Sequence, residues 1–187
     1  MKQNKGFTLI ELLVVISIIG LLSSIVVASL NSARVKAQNS VITTTVRQYV
    51  TAIRAYQFDK GKLPMGTYPP LANGMRYCLG RAPNGSTCLT GQINFYGADD
   101  PVLNSQLDDY YQALPSPNQN SITYGGEVND GSLYFCQSYS LAAGNERCTL
   151  VHLYWHLKGA GQNCVLAGAL PLSDGVGATR CQLTIAE

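Results

Sequence analysis

The first 77 residues contain no cysteine, and no proline occurs before Pro64. No charged side chain lies between Glu11 and Arg34. Charged residues make up 13% of the 187-residue chain, and its two histidines, His152 and His156, share one short segment. Each scarcity excludes something. Without proline, nothing forces a break in a helix over the first sixty residues. Two clustered histidines argue against a catalytic triad, and no nucleophile–base pair stands out. No CxxC pair occurs, which weakens zinc and thioredoxin-type readings. The glycines, Gly125-Gly126 among them, sit in turn-like contexts without a phosphate-loop pattern. There is no internal repeat. The chain does not read as an enzyme, and no cofactor is implied.

What is present begins with a long apolar run. From Phe7 to Leu30 every residue is apolar or small except Glu11, and Lys2 and Lys5 precede the run. At ~1.5 Å per residue, these 24 residues span the ~30 Å core of a bilayer as a helix. An ordinary secretory signal has a shorter apolar core of about 7–15 residues. Val27-Ala28-Ser29 would serve as its cleavage site, but Glu11 is badly placed for that reading. A carboxylate deep in a bilayer costs about 2.5–3.5 kcal/mol. Either Glu11 sits near the interface and snorkels out, or it awaits a cation from a neighbouring subunit.

Gly6-Phe7-Thr8-Leu9-Ile10-Glu11, after a short basic leader and before a long apolar helix, resembles the N-terminus of type IV pilins and type II secretion pseudopilins. The resemblance is strong from about Lys5 to Leu30 and continues weakly through Pro64. It implies an α+β, pilin-like fold, a long N-terminal helix packed against an antiparallel head with disulfide-closed loops. It implies cleavage after Gly6 by a prepilin peptidase that also methylates the new N-terminus, Phe7. It implies that Glu11 pairs with the N-terminal amine of an adjacent subunit during assembly. The implied partners are other pilin subunits, the membrane before assembly and an inner-membrane assembly platform. Many family members have a helix-loosening proline where this chain has Ala28; the nearest breakers here are Gly20 and Ser23-Ser24.

The resulting division is a cleaved leader at 1–6, a transmembrane or filament-core half-helix at 7–30, an amphipathic half-helix at 31–60 and an extracytoplasmic head at 61–187. Outside the apolar run, roughly 155 residues remain, enough for a real core. Losing the leader removes Lys2 and Lys5 and leaves 11 basic and 11 acidic side chains. Such a neutral chain is no general magnet for nucleic acid. The leader lysines place the N-terminus in the cytoplasm.

Cys78, Cys88, Cys136, Cys148, Cys164 and Cys181 all follow residue 77, which argues for disulfides outside the cytoplasm. Sequential pairing is the preferred connectivity, because each such pair brackets a turn-rich segment.

Val35, Ile42, Val46, Tyr49, Val50, Ile53 and Tyr56 recur at three- and four-residue spacings and form one helical face. The spacing predicts a single helix from about Phe7 to Phe58, with Thr43-Thr44-Thr45 as a soft point. Asn31-Ser32 offers an alternative second start. Gly61 and Pro64 end the helix. Met65 to Gly91 reads as a loop closed by Cys78 and Cys88, and Gln92 to Tyr96 as a short strand. Asp100 caps a second helix with Pro101 at its first position and Leu103, Leu107, Tyr110 or Tyr111, and Leu114 on its apolar face. Pro115-Ser116-Pro117 stops that helix. Strands are expected at Ser132–Leu141, Cys148–Leu157, Cys164–Leu170 and Thr179–Ile185, paired antiparallel.

Other candidate sites read as structural. His152 and His156 share a face but lack further ligands. Asp99-Asp100 and Asp108-Asp109 lack an EF-hand pattern, and Asp174 alone makes no calcium site. The eleven tyrosines and Trp155 suit sheet faces and interfaces. The function expected is a structural subunit of a type IV pilus or related filament. The alternatives are a minor tip pilin acting as an adhesin or DNA-capture module, a secretion pseudopilin, or a membrane-anchored enzyme. The expected location is the bacterial inner membrane before assembly, and a periplasmic or extracellular filament afterwards.

Overall fold

The computed structural model describes residues 6–67, 76–80, 89–90, 97–111, 122–124, 127–129, 131–142, 145–175 and 177–187. The chain falls into two compact units, residues 1–37 and 38–187.

Helix α1 runs without interruption over Leu9–Lys60. It passes through Gly20, Ser23-Ser24 and Asn31-Ser32, so the second start at Asn31 is not used. The Thr43 and Thr44 hydroxyls bond to the carbonyls of Asn39 and Ser40 at 2.8 and 2.9 Å, four residues back. This is how such side chains are accommodated inside a helix. Gly61 ends it in the left-handed conformation, φ 65°, with its N–H on the Gln57 carbonyl. That is the position where glycine costs least.

In the second unit, Asn39, Thr43, Val46, Tyr49, Ile53 and Tyr56 form the buried stripe of α1, repeating every three to four residues. The stripe shares one core with Tyr134, Cys136, Val151, Leu153, Trp155, Leu157, Leu183 and Ile185 of a six-stranded sheet. The sheet comprises β1 (Arg76–Cys78), β3 (Gly97–Asp99), β6 (Leu133–Ala142), β7 (Asn145–Lys158), β8 (Leu170–Gly175) and β9 (Ala178–Ala186). Their order is β3-β1-β6-β7-β9-β8. All neighbours are antiparallel except β1 and β3, which are parallel. A second sheet holds β2 (Leu89–Thr90), β4 (Ile122–Tyr124) and β5 (Glu127–Asn129) in the order β2-β5-β4.

Helix α2 spans Pro101–Asp108. The Asp100 carboxylate accepts from the N–H groups of Val102 and Leu103, and Pro101 needs no such bond. Leu103 and Leu107 enter the core, while Leu114 and the Pro115-Ser116-Pro117 stop lie outside the described residues.

The strand expected at Cys164–Leu170 is displaced. Residues 164–169 form turns, and β8 begins at Leu170. Val165 and Gly168 have φ of 57° and 81°, which a strand does not allow. The segment read as the Met65–Gly91 loop contributes β1 and β2 to the sheets. The strand expected at Gln92–Tyr96 lies outside the described residues.

Cys136 is bonded to Cys148 across β6 and β7, beside a bulge, and Cys164 to Cys181. The second bond holds the 164–169 turns against β9. Cys78 is also disulfide-bonded. Cys88, its expected partner, lies outside the described residues.

Candidate functional site

The first unit concentrates its chemistry at the start of α1. Thr8 accepts the first helical hydrogen bond, from Leu12 N–H at 3.3 Å. Glu11 reaches back, and its Oε2 accepts from the Thr8 N–H at 2.8 Å and the Thr8 hydroxyl at 2.7 Å. The Glu11 N–H in turn donates to Thr8 Oγ1 at 3.3 Å. Thr-Leu-Ile-Glu is thus a reciprocal capping box, satisfying donors that a helix start leaves open. The S/T-x-x-E spacing carries this signal in the sequence. Oε1 takes none of these bonds, so one carboxylate oxygen remains for a further donor.

Phe7, 84% exposed, stands beside this cap, with Gly6 before it. Beyond it, the large apolar side chains from Leu9 to Leu30 are all about half exposed or more. The helix is long and apolar enough to cross a membrane, with none of its apolar window buried. Soluble monomers do not leave so much contiguous apolar surface open. A surface of this kind demands lipid or other protein chains.

In the head, the sheet face opposite α1 collects the other polar candidates. Arg76, Phe135, His152 and Thr184 lie side by side on β1, β6, β7 and β9. His152 Nδ1 lies 2.9 Å from both Thr184 Oγ1 and Gln182 Nε2. The Arg76 and Arg180 guanidinium carbons stand 5.1 and 4.6 Å from the Tyr154 ring centroid. Both are within cation–π range. His156 is buried on the same face. Burial, with repulsion from Arg180 and Arg76, pushes its pKa down to about 3. It is therefore a neutral packing group at ordinary pH.

Among the described residues, no three His, Cys, Asp or Glu side chains gather to hold a metal ion. Asp100 is committed to its helix and to the α1 exit, accepting from the Thr67 N–H at 2.7 Å and hydroxyl at 3.0 Å. The Asp99 and Asp174 side chains lie outside the described ones.

A long N-terminal helix, apolar and capped at its start, with an antiparallel disulfide-bonded sheet on its second half, is the α+β architecture of pilin-like proteins. The "Prokaryotic N-terminal methylation motif" matches residues 1–27. The chain is 42% identical over 59 residues to the Type IV wide pilus major component PilA4 of Thermus thermophilus, covering 32% of this chain and 45% of that one. It is 34% identical over 64 residues to the Type II secretion system core protein G of Klebsiella pneumoniae, covering 34% and 46%. The same protein of Klebsiella michiganensis matches at 33% over 63 residues, covering 34% and 44%. The chain thus spans less than half the length of the curated relatives it matches. No solved structure matches it. By its motif and these relatives, the N-terminal third of the chain is similar to type IV pilins and type II secretion pseudopilins.

Proposed function

We propose that this chain is a structural subunit of a pilus or related filament, made as a membrane-anchored precursor. The precursor has a cytoplasmic N-terminus and an extracytoplasmic head. A prepilin peptidase cuts after Gly6 and methylates Phe7. An inner-membrane platform then moves the subunit from the bilayer into a filament, where residues 7–30 of many copies form the core. Residues 31–60 support the head at 61–187.

The observation that carries this reading is the exposed apolar surface of α1 from Leu9 to Leu30, led by the capped Glu11. Burial of apolar area supplies most of the assembly energy, at about 25 cal/mol per Å². Glu11 supplies register. Cleavage creates an amine at Phe7, and the Glu11 carboxylate of a neighbour accepts from it. Leaving a buried charge unpaired costs about 3–5 kcal/mol, so subunits out of register are rejected.

The test is Glu11→Ala in the native host. The variant precursor is expected in the membrane at normal level, while sedimentable filaments fall at least tenfold. Normal filament yield would overturn the role given to Glu11. The names of the relatives fit a pilus and a secretion pseudopilus equally, and the reading covers both.

A further inference from the structure

The six-stranded sheet ends unevenly on its β8 side. β8 pairs with β9 only as far as Leu170 opposite Gln182, and residues 164–169 before it form turns. β9 runs on to Ala186, so its last residues have a strand beside them on the β7 side alone. The register shows which backbone groups face outward. The Glu187 N–H donates to the carbonyl of Thr149, the position opposite it, at 3.0 Å. Bonding alternates along an antiparallel strand, so Ile185 and Leu183 also face β7, while Ala186 and Thr184 face away. In agreement, the Ala186 carbonyl accepts from Gln57 Nε2 of α1 at 3.1 Å. The Thr184 N–H, the Thr184 carbonyl and the Ala186 N–H remain. Among the described residues, none of the three has a hydrogen-bond partner, and both residues are exposed.

Helix α1 walls this step. A groove of about 510 Å³ runs between Arg54, Gln57 and Phe58 of α1 and Thr184 to Ala186 of β9. Phe58 is 93% exposed there. Arg54 is the one charged residue lining the groove, and among the described residues it has no ion pair. The outer edge of β8 is built differently. Pro171 stands opposite Cys181, which faces β7, so Pro171 faces outward and offers no N–H. A bulge follows it directly. Both devices stop a strand edge from recruiting another chain. The step at Thr184–Ala186 carries neither.

A row of outward N–H, C=O and N–H groups is matched by the backbone of another extended strand. The opposite end of the same sheet supplies one. β3 is outermost in the order β3-β1-β6-β7-β9-β8, and among the described residues it pairs with β1 alone. It is three residues long, like the step, and begins Gly97-Ala98, residues small enough for a second backbone to approach. The stretch around it is acidic. From Ala82 to Glu146 there are seven carboxylates and no lysine or arginine, which complements Arg54.

We propose that β3 of one copy adds as a strand to the Thr184–Ala186 step of a second copy, so that the sheet of one head continues into the next. The two surfaces lie at opposite ends of one sheet, so the contact is head-to-tail and propagates rather than closes. This inference rests on the filament reading above and names a contact between heads within it.

The experiment is residue-resolved hydrogen exchange of the full-length chain, in sheared filaments and in the same chain held in detergent. The Thr184 and Ala186 N–H groups are expected to exchange about tenfold or more slowly in filaments, together with the β3 N–H groups that face away from β1. A second measurement uses Arg54→Glu, a surface change that leaves the core of the head untouched. It is expected to lower the yield of sheared filament per cell about fivefold or more, by placing like charges in the contact. Filaments in which Thr184 and Ala186 exchange as they do in detergent would overturn the contact and leave the filament standing. So would full yield from Arg54→Glu. Protection at Thr184 and Ala186 with none in Gly97–Asp99 would also overturn it, because another segment would then fill the groove. If the unmodified chain forms no filaments, the contact and the filament reading fall together.

Discussion

The carboxamide of Asn39 is bonded at both ends to the backbone of Lys158. Its Nδ2 donates to the Lys158 carbonyl at 3.0 Å, and its Oδ1 accepts from the Lys158 N–H at 2.8 Å. Lys158 lies four residues beyond Tyr154, where β6 stops pairing with β7. One helix side chain thus takes the place of a strand's peptide group. Asn39→Leu should leave two backbone groups without these partners in a part-buried place. The expected cost is about 1–3 kcal/mol for the unsatisfied groups. Urea unfolding of the full chain in detergent measures it, and an unchanged midpoint would contradict the role assigned to Asn39.

Asp100 joins the α1 exit to α2. Its carboxylate accepts from four donors, Thr67 N–H and hydroxyl and the N–H groups of Val102 and Leu103. Asp100→Ala should destabilise by about 2 kcal/mol, the upper range for losing a helix cap. Gly66→Ala should be harmful for a related reason. A Cβ there would lie 2.5 Å from Asp100 Oδ2 and 2.9 Å from the Tyr77 ring. Thermal unfolding of both variants beside Gly61→Ala separates contact from backbone strain. Gly61 has open space but a φ of 65°.

His156 makes the head acid-sensitive. Its folded pKa is about 3, against an ordinary value of 6.5. Burial is the main cause, followed by Arg180 and Arg76. The unfolded chain therefore binds a proton that the folded chain refuses. Stability is fully present above pH ~6.5 and falls as pH drops toward ~3, by at most about 1.4 kcal/mol per pH unit. His152 shifts in the same direction, through partial burial. His156→Gln should flatten the slope of unfolding midpoint against pH. A slope that survives the substitution would place the acid sensitivity elsewhere.

Much of this architecture is legible in the residues. The run without proline and the stripe from Val35 to Tyr56 define α1 to within two residues at each end. Asp100-Pro101 announces α2, and the alternating apolar residues of β7 and β9 announce the centre of the sheet. What escapes the sequence is decided by distant partners. β1 is three residues long and is held by β6 and β3, not by its own pattern. Residues 164–169 are apolar enough for a strand, but the bond to Cys181 and the positive φ at Val165 and Gly168 turn the chain there. At the N-terminus, the position of Glu11 in its motif was plain. Its local work as a cap was equally plain in Thr8-x-x-Glu11, and was overshadowed by its charge.

The proposed subunit is processed at Gly6 and built into filaments with its head cross-linked. The most direct measurement is the intact mass and N-terminal sequence of the protein in the sedimentable fraction of its native cells, without reduction. The account predicts a chain beginning at methylated Phe7, six hydrogens lighter than its reduced form, one pair for each disulfide among its six cysteines. A chain retaining Met1 to Gly6, or one beginning near Leu30, would contradict it, because then neither the Phe7 amine nor its pairing with Glu11 would exist.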